Sequence, residues 1–362
     1  MGFAVPLPEN SRLRIRTSLF VLAAIVASAC VFALATYLIG EHLDRFLKVD
    51  RAPTLEEVSA VIPIEYALTS KENNDVIVLG DSGPQCAFDP VYFEGLTGLK
   101  AYNLASFGPL SIDGFFVTAR AYLLNHRAPR IMMLSLSPVT PSTSFANRPF
   151  AEQFVRVYGR GTGLVARESY VEPIKRGAGI ISDYANALLR SYSFRNVQVD
   201  GWPGETFNTL AEKRRRQRGY DRLPDRPGRV TGREFGNSTL PVAVEWDRGV
   251  RALGRLAEAK GVRLMIRLAP IRADAASMNF DEIRAWLRTI GKSQPNVIVS
   301  SEVILYDPKF CSDPRHLNAT GAKKFTKLVA DDVLAALEEK RPVDQKTSSR
   351  DSSGASETLA IP

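Results

Sequence analysis

The stretch Asp75-Val76-Ile77-Val78-Leu79-Gly80-Asp81-Ser82-Gly83 decides how the chain is read. Its short apolar run, rich in β-branched residues, reads as a buried strand of a parallel sheet that stops at Gly80. Ser82 follows two positions later, and Asp81 and Gly83 suit a tight turn from strand to helix. In open α/β sheets ligands bind beyond the carboxyl ends of the strands, and a helix starting just after Ser82 points free backbone N–H groups there. Ser82 therefore stands where a nucleophile would sit. Gly-Asp-Ser alone is an ordinary turn triplet, and it gains weight from a second stretch far downstream.

That stretch is Cys311-Ser312-Asp313-Pro314-Arg315-His316-Leu317-Asn318, which runs through Ala319-Thr320-Gly321-Ala322 into an apolar helix. A serine hydroxyl becomes a useful nucleophile when a neutral imidazole takes its proton, and a carboxylate on the other ring nitrogen fixes that imidazole. Asp313 and His316 supply both from one loop. The chain has three histidines. His42 follows a hydrophobic segment, and His126 sits in Asn125-His126-Arg127 at a helix end, where a cation suits the dipole. His316 is the base by elimination.

An early Gly-Asp-Ser after a strand, paired with a late Asp-x-x-His-Leu-Asn before the last helix, resembles the SGNH (GDSL-like) hydrolase superfamily. It is most similar to the membrane-anchored bacterial branch that includes alginate O-acetyltransferases and the D-alanine transfer protein of teichoic acids. A third block, Ala101-Tyr102-Asn103-Leu104-Ala105-Ser106-Phe107-Gly108, resembles the family's strand and loop whose glycine lends an N–H to the oxyanion hole. The resemblance implies Ser82 as nucleophile, His316 as base, Asp313 as its orienter, and the N–H groups of Ser82 and Gly108 as oxyanion donors. It also implies a three-layer αβα, flavodoxin-like fold with a parallel sheet. The three blocks span residues 75 to 322.

One block departs from the pattern. The asparagine that completes the oxyanion hole should follow the strand Arg130-Ile131-Met132-Met133-Leu134, where this chain reads Ser135-Leu136-Ser137-Pro138-Val139. A lost oxyanion donor typically costs about 3 kcal/mol of transition-state stabilisation. Either another group substitutes, a serine here being one choice, or the protein has a task more specialised than general hydrolysis.

At 362 residues and 45% hydrophobic composition, the chain can bury a full core. Its net charge of +8 is not gathered into one basic arm, so no nucleic-acid partner is expected. Cys30, Cys86 and Cys311 are far apart, with no His or Cys at ligand spacing, which disfavours metal catalysis. Gly159-Arg160-Gly161-Thr162-Gly163 has the wrong spacing for a nucleotide loop and follows no clear strand, so no cofactor is expected.

In chain order, residues 1–17 are expected to lie in the cytoplasm and Ser18 to Ile39 form an uncharged apolar run. About 20 such residues span a bilayer as a helix, and the run exceeds a typical signal-peptide core. Arg12, Arg14 and Arg16 just before it hold the N-terminus inside, so the rest should face the periplasm or the exterior. Residues 40–74 read as a polar, helical linker and 75–340 as the catalytic domain. Expected strands end near Leu104, cover Ile131 to Leu136, Val262 to Leu268 and Val297 to Val299, and alternate with helices, one of them running from Ser82 towards Gly98. Such alternation argues a parallel sheet covered on both faces.

Between about 141 and 240 the pattern breaks, and this insertion is expected to cap Ser82. It holds an apolar helix candidate at Ile180 to Leu189 and the basic run Lys213-Arg214-Arg215-Arg216-Gln217-Arg218, read first as a solvated helix face and alternatively as a contact for an anionic glycan or lipid headgroup. Trp202, Tyr220 and Trp246 are either core or sugar-stacking residues. Residues 341–362 lack an apolar cluster and should be disordered.

The expected function is membrane-anchored serine acyl transfer or ester hydrolysis on O-acyl groups, acetyl foremost, of a cell-envelope or secreted polysaccharide. A membrane protein is the expected acyl donor. The alternative is a non-catalytic glycan-binding or scaffolding protein of the same fold. Because a triad brings the Ser82 and His316 loops together in an oxidising compartment, a Cys86–Cys311 disulfide is expected; otherwise Cys86 is a helix-packing residue and Cys311 an unrelated loop residue.

Overall fold

The computed structural model describes residues 55–142, 204–225, 241–275 and 279–338, together with isolated positions 28, 151, 154–155, 158–159 and 199. Apart from position 28, the expected membrane segment lies outside the described residues, as do the Ile180 to Leu189 helix, Trp202, His42, Cys30 and the C-terminal tail. Among those described, no helix is long and apolar enough to cross a membrane.

Strand β1 (Val76–Gly80) is fully buried and sits between β2 (Ala101–Asn103) and β3 (Ile131–Leu136). Beyond β3 lie β4 (Arg263–Leu268) and β6 (Val297–Ser300), and every pairing is parallel. The order β2-β1-β3-β4-β6 means that the chain leaves β1 in one direction and returns to its other side. Such a reversal opens a crevice at the carboxyl ends of β1 and β3. The pair β5 (Ile271–Arg272) and β7 (Leu305–Tyr306) forms a separate small sheet.

Alternation along the strands splits the core in two. Ile77, Leu79, Met132, Leu134, Leu264 and Ile266 join one cluster with residues of α1 (Leu55–Thr69), α4 (Ser111–Asn125), α6 (Val244–Ala259) and α7 (Asp281–Ser293). Val76, Val78, Ile131, Met133 and Met265 join the other with Phe93 of α3 (Pro90–Thr97) and Phe325, Val329 and Val333 of α8 (Ala319–Glu338). Helices therefore cover both faces of the sheet. Trp246 belongs to the first cluster and Tyr220 is buried, so both are packing residues.

Two stretches differ from expectation. The linker reading is corrected at residues 55–69, because α1 sinks Ala60, Ile64 and Ala67 into the core. The single helix expected after Ser82 is two: α2 (Ser82–Ala87) stops at Phe88, and Asp89 caps α3 by accepting N–H bonds from Val91 and Tyr92. Pro90 explains the break, since it has no N–H with which to continue α2 and suits the first position of a new helix.

Candidate active site

Gly80 closes β1 with a φ of 146°. A Cβ there would overlap the carbonyl oxygen of Ser135 in β3, so only glycine allows the two strands to approach this closely before the turn. Asp81 follows, buried, with its two carboxylate oxygens facing two elements. Oδ1 accepts the N–H of Gly83 at 2.9 Å, capping α2. Oδ2 accepts the N–H of Ser137 at 2.8 Å and the Thr140 hydroxyl at 2.5 Å. Burial pushes the Asp81 carboxyl up from its ordinary range, against the opposing pull of those three donors. The side chain thus ties the Ser82 turn to the loop after β3.

The second loop is a closed tongue. Cys311 and Leu317 form an antiparallel bridge, and Ser312 donates its N–H to the carbonyl of His316 at 2.9 Å. Asn318 ties the base of the tongue, donating its side-chain amide to Lys309 and accepting the N–H of Gly321. At the tip, Asp313 Oδ1 accepts the N–H groups of Arg315 and His316 at 2.8 and 2.9 Å, a turn that an aspartate favours. From outside the tongue, Arg272 of β5 donates its N–H to the Pro314 carbonyl at 3.1 Å.

These two loops meet. His316 Nε2 lies 2.8 Å from Ser82 Oγ, and His316 Nδ1 lies 2.7 Å from Asp313 Oδ2. Burial opposes the charge on Asp313, yet the bond with His316 and the two backbone N–H groups hold its carboxyl below the usual range. A charged Asp313 makes Nδ1 the protonated nitrogen and leaves Nε2 free to accept from the serine.

Ser82, Asp313 and His316 open onto a cavity of about 440 Å³, within the size range of small-ligand sites. Gly108, at the start of the 3-10 turn Gly108–Leu110, lines the same cavity. Among the described residues neither the N–H of Ser82 nor that of Gly108 has a hydrogen-bond acceptor. Leu210 and Lys213 of α5 (Phe207–Arg216), with Arg214 and residues 221–223, complete the wall.

The basic run divides. Arg215 and Arg216 are exposed and pair with Glu212, whereas Arg214 is buried and grips Asp221 with two bonds and Ser59 of α1 with a third. Beyond α5, Gly219 (φ 86°) lets the chain press against the Asn103 carbonyl, and Asn103 accepts this approach by donating its N–H to Arg218.

The expected disulfide is corrected. Cys86 and Cys311 are both free and buried, in different surroundings. Cys86 lines the cavity, where burial and then the charge of Asp221 push its thiol well up. Cys311 packs in the cluster of Leu317 and Phe325, with Sγ 3.8 Å from the Asp307 carbonyl, and burial pushes its thiol up to about 12. A short Ser82–His316 contact fixes the tips of two loops and leaves residues four or five positions away free to diverge.

Three features were not anticipated from the sequence. Asp81 and Thr140 form the link beneath the site, and Asn103 donates its side-chain amide to the carbonyls of Pro84 and Phe88 at the end of α2. His126 is a structural tie, with its ring nitrogens 2.8 and 3.1 Å from the Glu72 and Ala67 carbonyls. No family model matches the chain, and no curated protein matches it.

Proposed function

We propose that the protein is a serine acyltransferase or carboxylic-ester hydrolase of SGNH type, with a three-layer αβα, flavodoxin-like architecture. The observation that carries this reading is the continuous chain from Ser82 Oγ through His316 to Asp313, at 2.8 and 2.7 Å, on the wall of a cavity. Ser82 attacks the ester carbonyl while His316 Nε2 takes the hydroxyl proton, and Asp313 stabilises the resulting imidazolium. The oxyanion of the tetrahedral intermediate rests on the N–H groups of Ser82 and Gly108. His316 then protonates the departing alcohol oxygen, which leaves the acyl group as an ester on Ser82. A sugar hydroxyl, or water, attacks that ester with His316 again as base, and the acyl bond to Ser82 breaks as His316 returns the proton to Ser82 Oγ.

The substrate in this reading is a cell-envelope or secreted polysaccharide with acetyl as the acyl group: in transfer it accepts the acyl group from a membrane donor protein, and in hydrolysis it carries the ester that is cleaved. In this reading residues 18–39 anchor the chain in the cytoplasmic membrane with the catalytic domain in the periplasm or outside the cell. A reporter fused after residue 340 should be active only when exported, and cytoplasmic activity would reverse that topology. The alternative, a glycan-binding protein without catalysis, draws support from the serine-containing loop where an oxyanion asparagine is expected. Hydrolysis of a soluble model ester by the wild type and by Ser82→Ala separates the two: the enzyme reading requires turnover that the variant loses, and equal rates exclude it.

A further inference from the structure

We infer that the Ser137 hydroxyl is the third oxyanion donor, a catalytic residue of the acyl chemistry proposed above, on which this inference rests. Ser137 is the first residue after β3, and it lines the cavity with Ser82, Gly83 and Gly108. Its backbone is pinned beside the nucleophile turn by the 2.8 Å bond from its N–H to Asp81. Its Cβ lies 3.9 Å from where a Cβ on Gly83 would stand, with only Asp81 Oδ1 and the Ala269 Cβ nearer to that point, so Ser137 stands beside the start of α2.

The hydroxyl itself is buried and has no hydrogen-bond partner among the described residues. Buried polar groups without partners are uncommon, and each one costs stability unless something else requires it. The other hydroxyls of the cavity wall are committed. Ser59 accepts from Arg214, Thr140 donates to Asp81, and Ser82 faces His316. Of these four, only the Ser137 hydroxyl has no hydrogen-bond partner among the described residues, and none of them holds it in its present rotamer. Rotation about one torsion carries the oxygen among three staggered positions. A hydroxyl so placed finds its acceptor only when negative charge develops on the acyl oxygen, and an interaction made only then lowers the barrier without tightening substrate binding.

Ser135 supplies the comparison. Its hydroxyl is also buried and without a partner among the described residues, but it lies in β3 opposite Gly80 and away from the cavity wall. The test is steady-state hydrolysis of an activated aryl ester by the full chain and its Ser137→Ala, Ser135→Ala and Ser82→Ala variants, with melting temperatures alongside. Ser137→Ala should lower kcat about 10²-fold with KM within twofold, while the melting temperature holds or rises because an unpartnered hydroxyl has gone. Ser135→Ala should leave kcat unchanged. Should Ser137→Ala not fold, Ser137→Cys, close in size and a weak donor, carries the same expectation. A kcat within twofold of wild type in a folded Ser137 variant overturns the inference if Ser82→Ala is inactive. Wild-type rates in Ser82→Ala overturn the acyl-serine reading and this inference with it.

Discussion

Strands β1 and β3 lie side by side in register, Val76 opposite Ile131 and Gly80 opposite Ser135, and both are fully buried. Beyond their last residues they part. The β1 end delivers Ser82 to His316, while the β3 end delivers Ser137 and Thr140 to Asp81. One end holds a serine hydroxyl in a hydrogen-bonded chain and the other braces it from the side. The contrast teaches that burial pattern decides where a strand runs, whereas the partners met after the strand decide what its end can do. Asp81 is the hinge of the comparison, because its two oxygens serve the two ends separately.

The strongest way to break this comparison is to remove the hydrogen-bonded chain at the β1 end. Ser82→Ala and His316→Ala should each lower kcat/KM for an ester substrate by at least about 10⁴-fold, and the double variant should fall little further, because the groups act as one unit. Additive losses would mean that the two residues work independently. Next in size is the close approach of the strands themselves. Gly80→Ala drives a Cβ into the Ser135 carbonyl at a backbone angle that only glycine accepts easily. It should cost about 3 kcal/mol or more, read as a lower urea midpoint, and an unchanged midpoint would contradict the packing described.

The Asp81 brace sharpens the comparison further. Asp81→Ala leaves the N–H groups of Gly83 and Ser137 and the Thr140 hydroxyl without their acceptor, so stability should drop by about 3 kcal/mol and kcat should fall with it. Thr140→Val removes one of the three and should do less.

A smaller effect follows from acid. The Asp313 carboxyl is depressed in the folded state, so it contributes stability that is full above its unfolded value near about 4 and is lost as pH falls through the folded value. The stability gap between wild type and Asp313→Asn should therefore be constant above about pH 5 and close below about pH 4. A gap that widens on acidification would reverse the sign. Smallest of all, denaturation without reductant should expose Cys86 and Cys311 as free thiols to a labelling reagent, and failure of both to label would restore the disulfide.

Much of this was legible in the chain. The apolar, β-branched run at Val76 to Leu79 and the run Ile131 to Leu136 announce buried strands because an alternating surface is absent there. The chemical identities of Ser82, Asp313 and His316 single them out, and their loops lie together. What stayed hidden depends on distant partners. Asp81 read as a turn residue, since the donors that make it a brace lie 56 and 59 positions away. Spacing placed Cys86 and Cys311 near the two loops and could not say that one thiol faces a cavity and the other the core. Helix α1 read as linker because the sheet that its Ala60 and Ile64 cover is assembled only from strands further along.

The most direct measurement of the central claim is intact-protein mass spectrometry of the full chain after brief exposure to an activated acetyl ester. A single acetyl group should appear and map to Ser82 by peptide digestion, vanish in Ser82→Ala, and form far more slowly in His316→Ala. Absence of any adduct on Ser82, or an adduct that forms equally fast without His316, would contradict the account.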